Sequence, residues 1–354
     1  NNTILDKKQR YKTIVEECLY FGDINPTNIF ICKLLVDPYN KYKLNYNEGN
    51  TMELNINGKW NIDVFDAIVG NPPYSTDPSK QNTTPLYNLF TERFINNCDY
   101  LLYVIPSRWF VGGKGLNNFR DSMMKRTDIQ LIQHEDDATK WFGNNVEIKG
   151  GVNYFLKNKY YVGECLFNNN YYNLSKYNCI VKPEHHEFID KINKYENITK
   201  LYISSGFFKY RTNDKRLKNT GNIKCYVSSL KSKNRCKYTD EYVLNDKNMF
   251  WKVIASRAAH GAFSGFGFKT IGKPNEIYTD SYISFRVNTE KEAISLLSYL
   301  DTKFVNYMLS IRKISQDISE KTCEWIPIVP FDRNWTDEIV CKYFNITENK
   351  FCLY

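Results

Sequence analysis

The stretch Asn71-Pro72-Pro73-Tyr74 constrains the fold more than any other feature of this sequence. It follows the apolar run from Val64 to Gly70, which predicts a buried strand of a parallel sheet. A strand that ends in glycine and continues as Asn-Pro-Pro-Tyr places an amide, a rigid turn and an aromatic ring at the carboxyl end of a sheet. Open α/β sheets bind their ligands at that edge. The stretch therefore predicts an α/β domain with a ligand site beside Asn71.

The chemistry of these four residues suits an exocyclic amino group on a flat ring. The side-chain oxygen of Asn71 and the carbonyl of Pro72 can each accept a hydrogen bond from one NH2 group. Pro72 and Pro73 hold that carbonyl in place because their φ angles are fixed. Tyr74 offers an aromatic face on which a planar base can stack. The alternative interpretation is a plain proline-rich turn after a strand.

Strand and helix patterns alternate along the first half of the chain, which predicts a doubly wound α/β domain. A helix is expected to begin at Pro26 behind Asn25 as its N-cap. Its apolar residues are expected to pack on the sheet: Ile29, Ile31, Cys32, Leu34 and Leu35. The predicted segments are a helix at 5–19, strands at 18–24, 44–48, 64–69 and 100–105, helices at 85–97 and 114–126, and a late hairpin of 145–157 with 160–167.

The pattern changes after about residue 175, where strand signals become short and basic loops intervene. We therefore predict one domain over residues 1–175 and a second, mixed α+β domain over 176–354. In the second domain a capping box from Thr289 to Glu292 predicts the start of one long amphipathic helix that extends to Met308.

The composition describes a basic protein of 354 residues with a net charge of +9, which suits a polyanionic partner. No apolar stretch has the length of a membrane span, and the ten cysteines show no zinc-like spacing. These features predict a cytoplasmic protein with reduced thiols, no membrane contact and no metal site.

Asn71 to Tyr74, with the strand before them, resemble the active-site motif of the N6-adenine DNA methyltransferases of restriction–modification systems. The resemblance implies a Rossmann-like methyltransferase sheet followed by a target-recognition domain. It also implies S-adenosylmethionine as the cofactor, double-stranded DNA as the partner, and a target base flipped out of the helix. Asn71, Pro72, Pro73 and Tyr74 would then be catalytic, and the order of the matching segments is the γ order of the family.

Two segments resemble the cofactor half of that family. The segment from Tyr20 to Pro26 is similar to the end of its second strand, so Asp23 and Ile24 are implied to bind the cofactor ribose. Asn50, in Glu48-Gly49-Asn50, is implied to read the cofactor adenine. A helix-entry aspartate and an ordinary turn asparagine are the respective alternatives.

The Gly-rich loop that holds the methionine part of the cofactor in this family has no counterpart in the chain. Three explanations stay open: a segment upstream of Asn1, a separate subunit that supplies the loop, or a degenerate protein. Such an additional polypeptide could also carry a nuclease. Glu147-Ile148-Lys149 is only half of a nuclease pattern and lacks the upstream aspartate.

Several later segments resemble the same family. Pro106 and Ser107 are implied to shape the pocket wall, and Phe155, with Tyr154 as the alternative, is implied to stack on the flipped base opposite Tyr74. The tail over 278–338 is similar to the C-terminal part of restriction–modification methylases. A basic stretch within 207–237 is expected to bind DNA phosphates through Lys209, Arg211, Lys215, Arg216, Lys218, Lys231, Lys233 and Arg235. A solvated loop without a partner is the alternative for that stretch.

Two other functions remain open at this point. Related enzymes with the same four residues methylate RNA or the side chain of a protein glutamine. A cofactor-deficient DNA-binding specificity or scaffold subunit would explain the missing loop.

Overall fold

The computed structural model describes residues 6–76, 83–144, 148–228, 235–259, 265–314, 316–347 and 351. The α helices of these residues are α1 (Lys7–Thr13), α2 (Pro26–Val36), α3 (Ile56–Trp60), α4 (Tyr87–Phe94), α5 (Asn117–Met124), α6 (Thr139–Phe142), α7 (His186–Ile192), α8 (Glu290–Leu300), α9 (Lys303–Arg312) and α10 (Asp337–Phe344).

The strands alternate with these helices in the first half of the chain and follow one another more closely in the second. They are β1 (Tyr20–Asp23), β2 (Asn45–Glu48), β3 (Phe65–Gly70), β4 (Cys98–Pro106), β5 (Ile129–Glu135), β6 (Val152–Asn158), β7 (Cys165–Phe167), β8 (Asn170–Tyr172), β9 (Tyr202–Ile203), β10 (Ile223–Tyr226), β11 (Cys236–Thr239), β12 (Trp251–Ser256), β13 (Lys269–Gly272), β14 (Ile277–Tyr278) and β15 (Tyr282–Val287). The predicted α/β fold is confirmed.

The chain forms two units. The first comprises Asn1–Ile105, Thr127–Ile132 and Tyr154–Glu164, and the second comprises Pro106–Arg126, Gln133–Asn153 and Cys165–Tyr354. Strands β4, β5 and β6 contribute residues to both. The predicted domain boundary near residue 175 stays a prediction.

Local sequence signals explain how the first unit begins. The side chain of Asn25 accepts a hydrogen bond from the backbone N–H of Thr27 and caps α2, and Pro26 occupies the first helical turn. Strand β1 before this cap pairs in parallel with β2, with Asp23 opposite Glu48 at their carboxyl ends. The predicted strands and the predicted helix start are confirmed here, because capping and strand signals both act over a few residues.

A six-stranded sheet has the order β3–β4–β6–β5–β7–β8. Strands β3 and β4 are parallel, and β7 and β8 form an antiparallel pair. The predicted hairpin of 145–157 with 160–167 is wrong, since β5 lies between β6 and β7 and β7 pairs with β8 instead. Strand β5 was not predicted from the sequence.

The prediction that the strand before Asn71 is buried is also wrong. Among the described residues β3 pairs with β4 alone, so it forms the edge of the sheet. The exposed fraction is 49% for Val64 and 74% for Val69. An apolar strand at an open edge is an unusual surface for a soluble protein.

Helix α2 is also more exposed than predicted. Ile29 is its buried residue, Cys32 and Val36 are partly buried, and the other four apolar side chains are exposed. The exposed fractions are 64% for Phe30, 47% for Ile31, 51% for Leu34 and 77% for Leu35. Ile31, Leu34 and Leu35 therefore do not pack on the sheet as predicted. We call this surface the α2 apolar face (Phe30, Ile31, Leu34 and Leu35).

The second unit contains two smaller sheets, with the orders β11–β10–β14 and β13–β12–β15–β9. Its buried aromatic and aliphatic side chains include Phe208, Tyr210, Tyr226, Ile254, Tyr278 and Tyr282. The predicted single long helix after Thr289 is two helices, α8 and α9. Thr302 divides them, because its side chain accepts a hydrogen bond from the N–H of Val305 and starts a new helix.

No helix within the described ranges is long and apolar enough to cross a membrane.

Candidate active site

The position of Asn71 is set by a close contact between two neighbouring strands. Gly70 ends β3 opposite Tyr103 of β4. A Cβ atom added to Gly70 would lie 3.2 Å from Cε1 of the Tyr103 ring, so the ring packs directly on the glycine. Asn71 then leaves the sheet with an exposed side chain, and Pro72 is buried behind it. The amide is therefore presented to solvent from a fixed backbone, as a binding group requires.

Tyr74 is half-buried at the end of the same turn. Its carbonyl accepts a hydrogen bond from the N–H of Leu86 at 3.3 Å, and a β-bridge between Ser75 and Pro85 follows. The Tyr74 hydroxyl makes no hydrogen bond of ordinary geometry within the described chain. Burial raises the pKa of this hydroxyl to about 12, although the nearby Asn71 side chain favours the ionised form. The Tyr74 hydroxyl is therefore neutral near pH 7.

Phe155, the predicted stacking residue, is fully buried in β6. Its ring meets the Tyr103 ring edge-on, with 6.4 Å between centroids. Tyr154, the alternative, is half-buried. Neighbouring residues of a strand point to opposite faces of the sheet, so only one of the two can line a given pocket. The stacking role of Phe155 stays a prediction.

Asp23 lies at the carboxyl end of β1, as predicted. One of its carboxylate oxygens accepts a hydrogen bond from the N–H of Asn25 at 2.7 Å, and the other accepts from Nδ2 of Asn28 at 3.0 Å. Ile24 beside it is 72% exposed. A carboxylate can accept about four hydrogen bonds, so Asp23 keeps capacity for a further donor while it organises the helix entry.

Asn50 also combines a local role with a position at the predicted site. Its side-chain oxygen accepts from the N–H of Met52 at 3.1 Å, and its Nδ2 donates to Glu53 at 2.7 Å. An open cavity of about 450 Å³ lies beside it. Its polar lining comprises Asn47, Asn50, Glu53, Asn55 and Lys59, together with Gly49 and Gly58.

This cavity has the size and the donor set for a nucleoside. Ligand pockets commonly have volumes of about 300–1,000 Å³ with a few placed polar groups. Lys59 donates to Oδ1 of Asn47 at 2.8 Å, so the two side chains hold one another at the wall. At Gly49 the nearest atom to a Cβ position is Nδ2 of Asn47 at 3.9 Å, so a flat ring has room to approach the backbone there. The residues present therefore fit the adenosine part of S-adenosylmethionine.

A buried polar network in the second unit was missed from the sequence. Oγ of Ser107 lies 2.8 Å from Nδ1 of His134, and Nδ2 of Asn153 donates to the same Ser107 oxygen at 3.0 Å. Nε2 of His134 donates to Asp136 at 3.0 Å, and Lys182 donates to Asp136 at 2.7 Å. Ser107 is buried, so its hydroxyl is shielded from solvent within this network.

The charges of this network are tightly coupled. Partial burial tends to raise the pKa of Asp136, but the hydrogen bond from His134 and the Lys182 charge outweigh it and hold the pKa well below its usual range. Asp136 is therefore ionised at every pH at which the protein is expected to work. The 27-residue separation of Ser107 and His134 explains why no sequence motif indicated the network.

The predicted DNA-binding residues differ in exposure and in whether an acidic or aromatic side chain contacts them. Four are exposed: Lys209, Arg211, Lys215 and Lys218. Arg216 instead pairs with Asp214 at 2.8 Å and lies 3.9 Å over the Tyr210 ring, and its hydrogen bonds lower the pKa of Asp214 to about 2. Arg235 lies 4.6 Å over the Phe268 ring. Lys231 and Lys233 lie outside the described residues.

Acidic and thiol groups do not gather into a metal site: in the ranges that the structure describes, no three His, Cys, Asp or Glu side chains are placed to hold an ion.

Comparison with known proteins supports the sequence resemblance. Residues 17–142 match the Eco57I restriction-modification methylase family. The predicted resemblance is therefore confirmed, and we refer to these residues as the methylase segment (residues 17–142). The segment contains Asn71 to Tyr74, Asp23 and Asn50.

One curated relative of this chain is an uncharacterized adenine-specific methylase of Mycoplasma pneumoniae. It is 30% identical over 166 residues, which are 45% of this chain and 39% of that protein. The chain thus spans well under half of the length of the relative it matches.

Solved structures of restriction–modification proteins show low structural similarity to this chain. The type IIG restriction endonuclease BpuSI has a TM-score of 0.37 at 10% identity, with 94% of this chain and 55% of that chain covered. The M protein of the type I restriction enzyme EcoKI has a TM-score of 0.34 at 15% identity, with 48% and 36% covered.

Proposed function

We propose that this protein transfers a methyl group from S-adenosylmethionine to N6 of adenine in double-stranded DNA, as the methylase part of a restriction–modification enzyme. The observation that carries the proposal is the exposed Asn71 amide, fixed by Gly70 and Pro72 at the carboxyl end of a strand within the methylase segment. The printed name of the Mycoplasma pneumoniae relative, an adenine-specific methylase, supports adenine as the target.

The chemistry required is activation of a weak nucleophile. The lone pair of the adenine N6 nitrogen is delocalised into the ring. Hydrogen bonds from the amino group to Asn71 Oδ1 and to the Pro72 carbonyl favour a pyramidal nitrogen whose lone pair is localised. The same two acceptors stabilise the positive charge that develops on the nitrogen. The nitrogen gains the methyl group and releases one proton to bulk water, so neither acceptor takes up the proton and no general base is part of this proposal.

The target base must leave the duplex, because its amino group is paired within the helix. Tyr74 offers the stacking surface for the flipped base, and its raised pKa keeps the ring neutral. Phe155 or Tyr154 is proposed for the opposite face. Positioning of the two reactants accounts for much of the expected rate.

The cofactor supplies an electrophilic methyl group when it is bound. We assign its ribose hydroxyls to Asp23 and its adenine to the cavity beside Asn50, which has the volume for a nucleoside. Asp23 retains acceptor capacity for the ribose, and Asn47 and Lys59 form the wall on which the adenine would lie.

A further polypeptide segment is proposed to complete the cofactor half. Two features of the first unit support it: β1 and β3 each pair on one side alone within the described residues, and the α2 apolar face is exposed. Open strand edges and large exposed apolar faces are normally covered in soluble proteins. A strand with a Gly-rich loop and a helix would cover them and cradle the methionine part of the cofactor.

The second unit is proposed to hold the duplex. Its exposed cations Lys209, Arg211, Lys215 and Lys218 have no ion-pair partner among the described residues, and unpaired surface cations suit phosphate contacts. Arg216 is a weaker candidate because Asp214 already neutralises it.

The experiment that tests the substrate class uses the protein produced from its own gene. It is incubated with S-adenosylmethionine carrying a labelled methyl group and with duplex DNA, RNA or a protein extract. We expect label in duplex DNA, and none in a parallel reaction with heat-inactivated protein. Label in protein or RNA alone contradicts the proposal. DNA binding without any transfer or cofactor binding favours a DNA-binding specificity subunit instead.

A further inference from the structure

Three segments of the second unit meet at one place through backbone hydrogen bonds. The turn 211–214 is closed by the N–H of Asp214 on the Arg211 carbonyl at 3.0 Å, and the turn 279–282 is closed by Tyr282 on Thr279 at 3.0 Å. The turn 279–282 joins the other two segments, since the N–H of Asp280 donates to the Tyr210 carbonyl at 2.8 Å and the N–H of Thr279 donates to the Tyr226 carbonyl of β10 at 3.0 Å. The meeting point therefore has a fixed backbone.

Three hydroxyl groups converge at this meeting point, and we call them the hydroxyl cluster (Thr212, Ser228 and Ser281). The Thr212 and Ser281 oxygens are 2.6 Å apart, and Ser228 donates to Ser281 at 2.9 Å. The third separation, between Thr212 and Ser228, is 3.4 Å, at the outer limit of a hydrogen bond. Two good bonds use two of the three hydroxyl hydrogens, so one hydrogen is left to donate to an outside acceptor.

Two arginines stand beside the hydroxyl cluster. Arg211 precedes Thr212 in the chain, and Arg257 follows β12 and donates its backbone N–H to the Ser281 carbonyl at 2.9 Å. Both side chains are exposed, and neither has an ion-pair partner within the described residues. Lys209 and Lys215 are exposed near the same turn. The nearby acids are Asp280, Asp317, which is bridged to Ala258, and Asp214, whose charge is already paired with Arg216. Cations therefore outnumber acids around the cluster.

We infer that the hydroxyl cluster with Arg211 and Arg257 is a phosphate-binding site for the backbone of duplex DNA. Hydroxyl groups and guanidinium groups are the side chains that commonly bind DNA phosphates, and such contacts fix the register of a protein on the duplex. The site rests on the proposed function, which supplies the DNA. It adds Thr212, Ser228, Ser281 and Arg257 to the predicted basic stretch, although Arg257 and Ser281 lie outside residues 207–237.

The test measures fluorescence anisotropy of a labelled duplex of about 30 base pairs between 50 and 300 mM NaCl. The slope of log affinity against log salt is negative, and the loss of one phosphate contact should make it less steep by about 0.9. The same loss should reduce the affinity at 100 mM salt about eightfold. We expect this result for Arg211→Gln and for Arg257→Gln. Arg333→Gln is the matched control, because Asp332 already pairs with that guanidinium at 2.7 Å. It should retain the wild-type slope.

Hydroxyl variants separate a binding role from a structural one. Thr212→Val combined with Ser281→Ala should lower affinity about tenfold while the salt slope stays at the wild-type value, because the lost donors are neutral. Thr212→Ser is the control, because it changes the same residue but keeps a hydroxyl. It should bind DNA with the wild-type affinity.

Three outcomes are distinguishable. Reduced slopes for both arginine variants support the site. Wild-type slopes in both variants, in a protein that binds DNA, overturn the site and leave the proposed function standing. A wild-type protein that does not bind duplex DNA at all contradicts the site and the proposed function together.

Discussion

The Tyr103 ring packs on Gly70 so closely that a Cβ atom at residue 70 would lie 3.2 Å from ring carbon Cε1. Because Asn71 is the next residue in the chain, this contact sets the position of the Asn71 side-chain amide. Glycine suits residue 70 because of its small size, since its backbone is that of an ordinary strand.

Substitution Gly70→Ala should push the strand end away from Tyr103 by a few tenths of an ångström. We expect methyl transfer to fall about 10- to 100-fold, because small displacements of reacting groups are costly, while DNA binding stays unchanged. Tyr103→Leu in the same chain should restore part of the activity. Gly206→Ala is the control, since no atom lies within 4 Å of a Cβ there. Equal activity of Gly70→Ala and wild type would argue against the contact as a positioning device.

The α2 apolar face should make the chain of residues 1–354 associate with itself when no further segment covers it. Phe30→Lys and Leu35→Lys remove side chains that are 64% and 77% exposed. In sedimentation velocity at micromolar protein concentration, both variants should have a lower apparent mass than the wild type. Val162→Lys changes a valine that lies outside the α2 apolar face and is 80% exposed, and it should have no effect. Identical sedimentation of all four proteins would contradict the expectation that the uncovered face drives self-association.

Lys252 should make stability depend on pH. It is fully buried in β12, and its Nζ donates to the carbonyls of Lys273 at 2.7 Å and Glu276 at 2.9 Å. Burial lowers the pKa of Lys252 to about 7. The unfolded chain keeps this proton up to a pKa of about 10.4. Between these values the unfolded state binds more protons, so the free energy of unfolding should rise with pH by up to about 1.4 kcal/mol per pH unit.

Denaturant unfolding from pH 6.5 to 9.5 checks this expectation. The free energy of unfolding of the wild type should rise with pH relative to that of Lys252→Met, because the variant lacks the titrating group. Lys291→Met alters an exposed lysine of α8 and should run parallel to wild type. Parallel curves for Lys252→Met as well would show that Lys252 keeps an ordinary pKa.

Local signals made much of the first unit predictable. Asn25 and Pro26 start α2 through a cap and a fixed φ angle, and both effects need only neighbouring residues. Thr289 marks the start of α8 for the same reason. The sequence also contains Thr302, whose cap divides the predicted long helix, but its signal lies inside a continuous apolar pattern that favours one helix.

The remaining features depend on which segments become neighbours. Strand β5 separates β6 from β7, and no pattern in the hairpin sequence can indicate an intervening strand. The burial of Val69 and Leu35 was predicted from their apolar character, yet burial requires a covering element. The Ser107–His134 contact joins residues that are 27 positions apart and so leaves no local motif.

The central claim is that Asn71 activates the amino group of adenine. The most direct measurement is the amount of N6-methyladenine, determined by mass spectrometry of nucleosides, in duplex DNA after incubation with S-adenosylmethionine and protein. We predict N6-methyladenine with the wild-type protein and none above background with Asn71→Ala, while both bind the duplex with equal affinity. Equal amounts of N6-methyladenine from Asn71→Ala and wild type would contradict the assigned role of Asn71.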